Sequence, residues 1–372
     1  MQKLGLYIHI PFCVKKCNYC DFYSVRSTDE NMTEYVKTII RSFDYWKHNL
    51  PYSPIVDTVY LGGGTPSILG TDLLSEILDS VSKHYTLDHN TEITLECNPN
   101  SLINLDLFSL KSLGLNRISM GLQSSNDNEL KVLGRSHTTA TAVKAIDTIH
   151  KSGIKNFSLD VMTGIPLQTF ESLSDTIDFC LDSGATHIST YMLKIEENTL
   201  FYKKRNLYNF ADDDTHADFY EFTCNKLKNN DFRHYEISNF CKNNMIPHHN
   251  MKYWQLDDYL GIGPSAHSMI NNKRFFYPRT LKEYSPENYI YDSEGKTPEE
   301  FIMLSLRTDI GFDYNEFESI FHKKLSDEFN SKVLMFSKMG LIKQNSNSFS
   351  LTEMGFLVSN TIISQLIEST YL

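Results

Sequence analysis

Three cysteines, Cys13, Cys17 and Cys20, stand near the start of the chain in the spacing C-x3-C-x2-C. Three thiolates leave a cuboidal [4Fe–4S] cluster one ligand short, because the fully coordinated cluster takes four cysteines. One iron would keep an open position, which is what a reactive metal site needs. A structural zinc site would require a fourth ligand, and a disulfide framework would require an even count in a short secreted chain. We predict an iron–sulfur site with a free iron position; an incidental cluster or an incomplete zinc knuckle is the alternative.

The first half of the chain contains the elements that must position these cysteines, and strands and helices alternate along it. Runs rich in β-branched and aromatic residues predict strands, and apolar residues at helical spacing predict helices. The alternation predicts a parallel sheet with right-handed crossovers and about six βα units, which is fewer than a full eight-fold barrel has. The predicted strands are 4–10, 55–61, 92–96, 117–120, 156–162 and 187–193, and the predicted helices are 32–46, 72–81, 105–113, 140–150 and 172–181.

The notable motifs follow the carboxyl ends of the predicted strands, which is the end of a barrel that carries its chemistry. Consecutive glycines at 62–64 would let the backbone approach a ligand closely, although a tight turn is the alternative reading. They form neither a dinucleotide fingerprint nor a P-loop. The motifs, in strand order, are Cys13, the run Gly62-Gly63-Gly64-Thr65, Glu96, Gln123, Asp160 and Lys194.

These motifs resemble one branch of the radical S-adenosylmethionine (SAM) superfamily. The cysteines lie within Tyr-Ile-His-Ile-Pro-Phe-Cys and Cys-Asp-Phe, and further matches are Tyr-Glu-Ile-Ser-Asn-Phe at 235–240, His-Asn-x-x-Tyr-Trp at 249–254 and Gly-x-Gly-x-x-Ala-His-Ser at 261–268. The branch holds the oxygen-independent coproporphyrinogen III oxidases and the heme chaperones of the HemW type. The resemblance implies an α/β fold with an open, partial (β/α)6 radical SAM barrel. It also implies a [4Fe–4S] cluster on Cys13, Cys17 and Cys20, whose open iron chelates SAM.

The resemblance also implies which side chains contact SAM. From the residues alone, Arg135 is either a fork of donors for a carboxylate or a surface ion-pair partner. Asp160, inside an apolar strand, is either a ligand acceptor or a satisfied core carboxylate. Tyr7 is either a cofactor contact or an aromatic of the barrel core. The implied cofactor-binding set is Tyr7, Tyr19, Gly63, Gly64, Thr65, Glu96, Gln123, Arg135 and Asp160.

Three histidines among aromatics are candidate heme ligands, because imidazole is a standard axial ligand of heme iron. They are His248, His249 and His267. Structural roles in the core are the alternative for each of them. The neighbouring aromatic residues at 253, 254 and 259 would either line a flat macrocycle or close the edge of the barrel.

The sequence predicts two domains, a core at 1–271 and a C-terminal domain at 272–372. Helical patterns at 301–307, 314–321 and 325–339, with a hairpin around 341–351, suggest a small, mostly helical, winged-helix-like unit. From Thr297 onward, however, six Lys and Arg stand against ten Asp and Glu. Because nucleic acids select basic surfaces, we interpret the unit as a packing or substrate-covering domain.

The composition of the chain limits the partners and the cellular compartment that we expect. The net charge of −11 opposes nucleic-acid binding and a polybasic membrane patch. No apolar run reaches the roughly 18 residues of a membrane helix. Seven mostly scattered cysteines fit a reducing compartment. We predict a cytoplasmic protein whose only membrane association would be a peripheral one through its clients.

One residue separates the two relatives in the resembled branch. The oxidases carry a further cysteine two residues after the third cluster cysteine, where this chain has Phe22. The HemW-type chaperones carry phenylalanine there, and the short stretch before Cys13 also favours them. The leading hypothesis is a chaperone that binds heme, the cluster and SAM and delivers heme to hemoproteins, respiratory ones first. The alternative is an oxygen-independent coproporphyrinogen III oxidase of porphyrin biosynthesis, so the residues leave open whether the chain is an enzyme.

Overall fold

The computed structural model describes residues 2–370 and confirms an α/β fold built on a parallel sheet. Six neighbouring strands, β1 and β4–β8, are parallel, and each predicted strand matches one of them. The strands are β1 (Lys3–Ile10), β2 (Phe12–Cys13), β3 (Val25–Arg26), β4 (Ile55–Gly63), β5 (Thr86–Cys97), β6 (Arg117–Gln123), β7 (Asn156–Thr163), β8 (His187–Met192), β9 (Arg233–Glu236), β10 (Asn239–Cys241), β11 (Tyr259–Ile262), β12 (His267–Ile270), β13 (Lys273–Phe276), β14 (Ile290–Glu294), β15 (Phe312–Asp313), β16 (Ile342–Gln344) and β17 (Ser348–Leu351).

Helices connect the parallel strands, and all five predicted helices are present. The first begins three residues before the predicted start, because Thr28 and Asn31 form a reciprocal capping box. The helices are α1 (Asp29–Asn49), α2 (Gly70–His84), α3 (Pro99–Leu102), α4 (Leu107–Ser112), α5 (Asp127–Leu133), α6 (Thr139–Ser152), α7 (Phe170–Asp182), α8 (Leu200–Lys203), α9 (Asp213–Lys228), α10 (His248–Trp254), α11 (Pro298–Ser305), α12 (Tyr314–Phe321), α13 (Asp327–Lys338), α14 (Glu353–Leu357) and α15 (Ser359–Glu368).

The main sheet continues past the domain boundary that we expected after Asn271. Strands β12 and β13 pair antiparallel around Asn271 and Asn272, which both have positive φ angles of 50° and 63°. This is the geometry of a two-residue hairpin turn, which asparagine tolerates. The sheet ends only with β14 at Glu294, so we now propose a boundary between Glu294 and Pro298.

Helix α10 packs against the barrel strands near the amino-terminal half of β4. The ring of His249 stacks on Tyr60 with 5.1 Å between centroids, and its Nδ1 lies 2.8 Å from the Thr58 hydroxyl. The buried Lys252 forms an ion pair with Asp57 at 2.9 Å. The His-Asn-x-x-Tyr-Trp segment therefore fills the barrel interior on the side away from the strands' carboxyl ends.

The C-terminal unit is mostly helical and carries a three-stranded sheet in the order β15-β17-β16. Its core is a group of phenylalanines that includes Phe312, Phe317 and Phe329. The ion pair between Arg274 and Glu300, at 2.7 Å, ties the unit to the main sheet. The predicted helices and hairpin are present here.

None of the helices within residues 2–370 combines the length and the apolar character needed to cross a membrane.

Candidate cofactor site

One cavity of about 640 Å³ lies at the carboxyl ends of the parallel strands, where the sequence predicted the chemistry. It brings together all three cysteines and every predicted SAM contact except Tyr7. The lining residues from the predicted set are Cys13, Cys17, Tyr19, Cys20, Gly63, Gly64, Thr65, Glu96, Gln123, Arg135 and Asp160.

The loop that carries the cysteines is held by backbone and side-chain contacts from distant parts of the chain. The amide of Asn18 donates to the Leu133 carbonyl at 2.9 Å, and its side chain donates to the Val132 carbonyl at 2.8 Å. Arg279 donates to the Asp21 carbonyl at 2.9 Å. These contacts fix the loop without consuming the three thiols. No three His, Cys, Asp or Glu side chains within residues 2–370 converge on a single-ion site, so the thiols stand apart around the cavity.

Arg135 is the cation nearest to the cysteines. Its Nη1 lies 3.7 Å from the Cys17 sulfur, and its Nη2 donates to the Gly121 carbonyl at 2.7 Å. The buried Nε has no hydrogen-bond partner among residues 2–370. Because a buried donor without a partner is costly, this atom points to a ligand that accepts a hydrogen bond.

The glycine run forms the wall of the cavity beside the cysteine loop. The Gly64 amide donates to the Ile10 carbonyl at 2.8 Å, and the Thr65 amide donates to the Phe12 carbonyl at 2.9 Å. A Cβ atom at Gly64 would stand 2.7 Å from the Phe12 carbonyl oxygen, which is too close for any real contact. Gly63 has a φ of 114°, which favours glycine. Bare backbone is therefore required here, as expected where backbone approaches a ligand.

We expect Gly64→Ala to displace the cysteine loop, because the added Cβ would collide with backbone rather than with a flexible side chain. Overpacking of this kind costs about 1–3 kcal/mol. Thermal unfolding should report that loss, and iron analysis after anaerobic reconstitution should report a lower cluster content. Gly70→Ala is the control for backbone strain alone, because a Cβ there meets nothing within 4 Å although the φ of 76° disfavours alanine; it should lower the stability and keep the iron content. Equal iron contents in the two variants would contradict the expectation.

Two carboxyl groups face the cavity from neighbouring parts of the sheet. The Glu96 carboxyl accepts from the Tyr60 hydroxyl at 2.7 Å and from the Gly63 amide at 3.0 Å. Burial raises the pKa of Glu96 to about 7. Burial also raises the pKa of Asp160, against the hydrogen bonds of the Ser189 and Ser119 hydroxyls. Both acids are thus held in water-poor surroundings that a ligand with hydroxyl or amine donors would suit.

Gln123 ends β6 with a φ of 70°, in the left-handed region that a residue with a side chain rarely adopts. Such strain costs roughly 1–3 kcal/mol and concentrates at functional sites. Gly121 leaves space for the side chains of Gln123 and Arg135. A Cβ at Gly121 would stand 3.0 Å from Gln123 Nε2 and 3.2 Å from Arg135 Nη2.

The sequence did not predict several of the residues that line the cavity. Ser119, Met162, Tyr191 and Met192 line the cavity with Phe22. Side-chain alternation could have found Ser119 and Met162, because they share a face with Gln123 on β6 and with Asp160 on β7. Tyr191 had no such signal, since no predicted cofactor-binding residue lies on β8. Met192 and Phe22, which are 40% and 69% exposed, lie at the mouth.

Tyr7 does not line the cavity. Its hydroxyl is 3.0 Å from His9 Nδ1, and its ring lies 6.1 Å from that of Tyr60 and 6.4 Å from that of His249. Tyr7 packs among aromatic rings of the barrel interior, and its contact with SAM stays a prediction.

The three candidate heme ligands lie in different surroundings. His249 is 1% exposed and both of its ring nitrogens are engaged, by Thr58 and by Tyr253 at 2.9 Å. Ligation by His249 would require one of these two contacts to break and the buried ring to become accessible. His248 and His267 are exposed, and His267 stacks on Phe276. Only these two can meet a ligand without a change in the core.

Comparison with known proteins identifies the family. The radical SAM superfamily model matches residues 7–180, and the HemN C-terminal domain model matches residues 296–358. The heme chaperone HemW of Haemophilus influenzae is 33% identical over 379 residues, which cover 98% of this chain and 97% of the relative. The chain belongs to the HemW family. The HemW of Bacillus subtilis is 31% identical over 96% of this chain and 97% of its own length.

The fold of this HemW-family chain also matches a solved structure. The coproporphyrinogen III oxidase HemN from Escherichia coli superposes with a TM-score of 0.84, covering 100% of this chain and 91% of that one at 21% identity. This match establishes the fold: the radical SAM barrel with a helical C-terminal region. Membership of the superfamily implies a [4Fe–4S] cluster and SAM as cofactors.

Proposed function

We propose that the chain is a heme chaperone, which binds heme and delivers it to hemoproteins, with respiratory ones as first candidates, while a [4Fe–4S] cluster and SAM occupy the cavity. The similarity to heme chaperones HemW over nearly the whole chain supports this proposal. The second support is Phe22, which faces the cavity where the resembled oxidases have a thiol. A phenyl ring can neither donate a proton nor carry redox chemistry at that position.

The cavity fits the two cofactors. Cys13, Cys17 and Cys20 would ligate three irons, and SAM would complete the fourth. When bound, this pair supplies one-electron reductive chemistry at the SAM sulfonium. The protein's own part is to bind and orient SAM: Arg135 offers donors to a carboxylate, and Asp160 offers an acceptor to hydroxyl groups.

The mouth of the cavity fits an amphiphilic ligand such as heme. Phe22 and Met192 expose apolar surface there, and Lys15 and Lys16 stand in the same lining, whereas the third lysine, Lys194, is paired with Glu196 at 2.7 Å. A flat apolar macrocycle with carboxylate groups would bury that surface and pair with Lys15 and Lys16. Neither of the exposed histidines lines this cavity, so ligation by His267 would place the heme iron outside the mouth, and ligation by His248, on the opposite side of the barrel, would require a separate heme site.

The test is a hemin titration of the purified protein, followed by an anaerobic assay with reconstituted cluster, SAM, reductant and coproporphyrinogen III. We expect a Soret band that saturates at one heme per chain and no protoporphyrinogen IX. The Soret band should persist in Cys17→Ser, because the proposed heme ligands lie outside the cluster motif. His248→Ala and His267→Ala, measured separately, should identify the ligand by a shifted or weakened band.

Two results of this test would contradict the proposed function. Repeated turnover of coproporphyrinogen III would replace the chaperone by the oxidase alternative. A wild-type chain that leaves the hemin spectrum unchanged would remove heme delivery and leave the cofactor site alone.

A further inference from the structure

A buried arginine stands below the cavity, outside the predicted site. Arg117 begins β6 and is 1% exposed, so it is among the largest fully buried side chains of residues 2–370. Its Nε and Nη1 have no hydrogen-bond partner within that part of the chain. A guanidinium stays protonated in proteins, and a buried charge without compensation costs several kcal/mol. Its retention in the barrel interior needs a reason other than packing.

One guanidinium nitrogen begins a chain of hydroxyl groups. Arg117 Nη2 donates to the Ser158 hydroxyl at 3.1 Å, and the Ser158 hydroxyl donates to the Ser119 hydroxyl at 2.9 Å. The Ser119 hydroxyl lies beside the Asp160 carboxyl, because Ser158, the partner of Ser119 in the sheet, is two residues before Asp160 on β7 and both Ser119 and Asp160 line the cavity. With the hydroxyl of Ser189 on β8, it lowers the pKa of Asp160 against burial. The two serines are direct neighbours in the pairing of β6 with β7.

Arg117 fixes the direction in which the hydrogen bonds of this series run. A guanidinium has donors only, so Ser158 must accept from it and is left to donate its own proton to Ser119. Ser119 then has its proton free for Asp160. Without the arginine, either hydroxyl could rotate, and the chain could run in the opposite direction.

We propose that Arg117 is a positioning residue of the cofactor site, which acts through Ser158 and Ser119 to keep a hydrogen-bond donor aimed at the carboxylate of Asp160. This inference rests on the proposed function, because Asp160 is taken as an acceptor for SAM. It deepens that function by adding a residue that does not touch the cofactor. The oriented donor favours the ionised, accepting form of Asp160 against the burial that raises the pKa of this carboxyl.

Other charged and titratable groups also face Asp160: Arg117 favours its ionised form directly through its charge, and the Tyr60 hydroxyl and the Cys180 thiol lie close enough to feel the carboxylate. Arg135 favours its ionised form from the cavity side, while Glu96 across the sheet opposes it as a second acid. The hydroxyl of Tyr191 on β8 also faces it. Of these groups, Arg135 lies beside the cysteines, so Arg117 is the cation that supports Asp160 from inside the barrel.

The experiment measures SAM affinity by calorimetry on the reconstituted, full-length protein between about pH 6 and about pH 9. We expect Arg117→Met to bind SAM about tenfold more weakly near pH 6.5 and to approach the wild-type affinity near pH 9, since one pKa unit at Asp160 corresponds to a tenfold change. Arg117→Lys should restore most of the affinity, because lysine also only donates. Arg233→Met, which removes a partly exposed arginine paired with Asp309, is the control.

Ser158→Ala removes the middle hydroxyl of the hydrogen-bond chain and keeps the cation of Arg117. It therefore tests the same proposal if Arg117→Met folds poorly. It should show the same pH-dependent loss, and the double variant should lose little more than either single variant. A loss that is equal at every pH, or no loss, would overturn the inference and leave Arg117 a structural residue. No SAM binding by the wild type would instead overturn the proposed function.

Discussion

Cys17→Ser is expected to abolish the [4Fe–4S] cluster. A hydroxyl is a poor replacement for a thiolate on iron, and the chain has only three cysteines in the motif, so no spare ligand can take over. Cys17 lies between the other two in the sequence, and its sulfur is 3.7 Å from Arg135 Nη1. Iron and sulfide analysis after anaerobic reconstitution should fall from about four irons per chain to near zero.

The other four cysteines provide the matched control. They are buried as free thiols in the hydrophobic core, away from the cavity mouth, apart from Cys97, which reaches the lining. Cys180→Ala and Cys241→Ala should keep the full iron content. A Cys17→Ser protein that retains four irons, or a Cys241→Ala protein that loses them, would show that the cluster is held elsewhere.

Arg135→Leu is expected to weaken SAM binding about 100-fold, the loss that follows when a pair of charge-assisted hydrogen bonds disappears. Its free, buried Nε and its place beside Cys17 make it the donor group available to a carboxylate next to the cluster. Electron paramagnetic resonance of the reduced cluster should then no longer respond to SAM, whereas the wild-type signal should change.

Two further variants make the Arg135 result interpretable. Arg135→Lys keeps the charge but loses the planar fork, so it should bind SAM with intermediate affinity. Arg41→Leu, on the surface of α1, should bind SAM as the wild type does. An Arg135→Leu protein with a full cluster and unchanged SAM affinity would contradict the assignment.

The sequence predicted the parallel strands and their motifs well, because buried strands have a strong apolar pattern and polar residues after them stand out. It did not predict that the main sheet continues past Asn271. Asn271 and Asn272 look like the start of a linker, but the same residues form a tight hairpin turn within the sheet. Local sequence cannot distinguish these two cases, since the partner strand decides between them.

The side-chain contacts inside the barrel also could not be predicted from the sequence. Arg117, Ser119 and Ser158 are ordinary strand residues until the pairing of β6 with β7 brings their side chains into one row. His249 similarly read as a ligand because nothing in the sequence shows that Thr58 and Tyr253 occupy both of its nitrogens. Such contacts join residues far apart in the chain, so only the folded structure reveals them.

The anchoring of the cysteine loop has a consequence for the order of assembly. The cysteines leave the ribosome well before Arg279, which holds the Asp21 carbonyl and lies 258 residues further along. The Leu281 amide reaches Tyr23 across the same separation. Because synthesis is vectorial, the loop gains these attachments only after both later residues have been made. Cluster loading on a firmly held loop is thus a late event in the life of the chain, open to competition from oxidation of the thiols before that point.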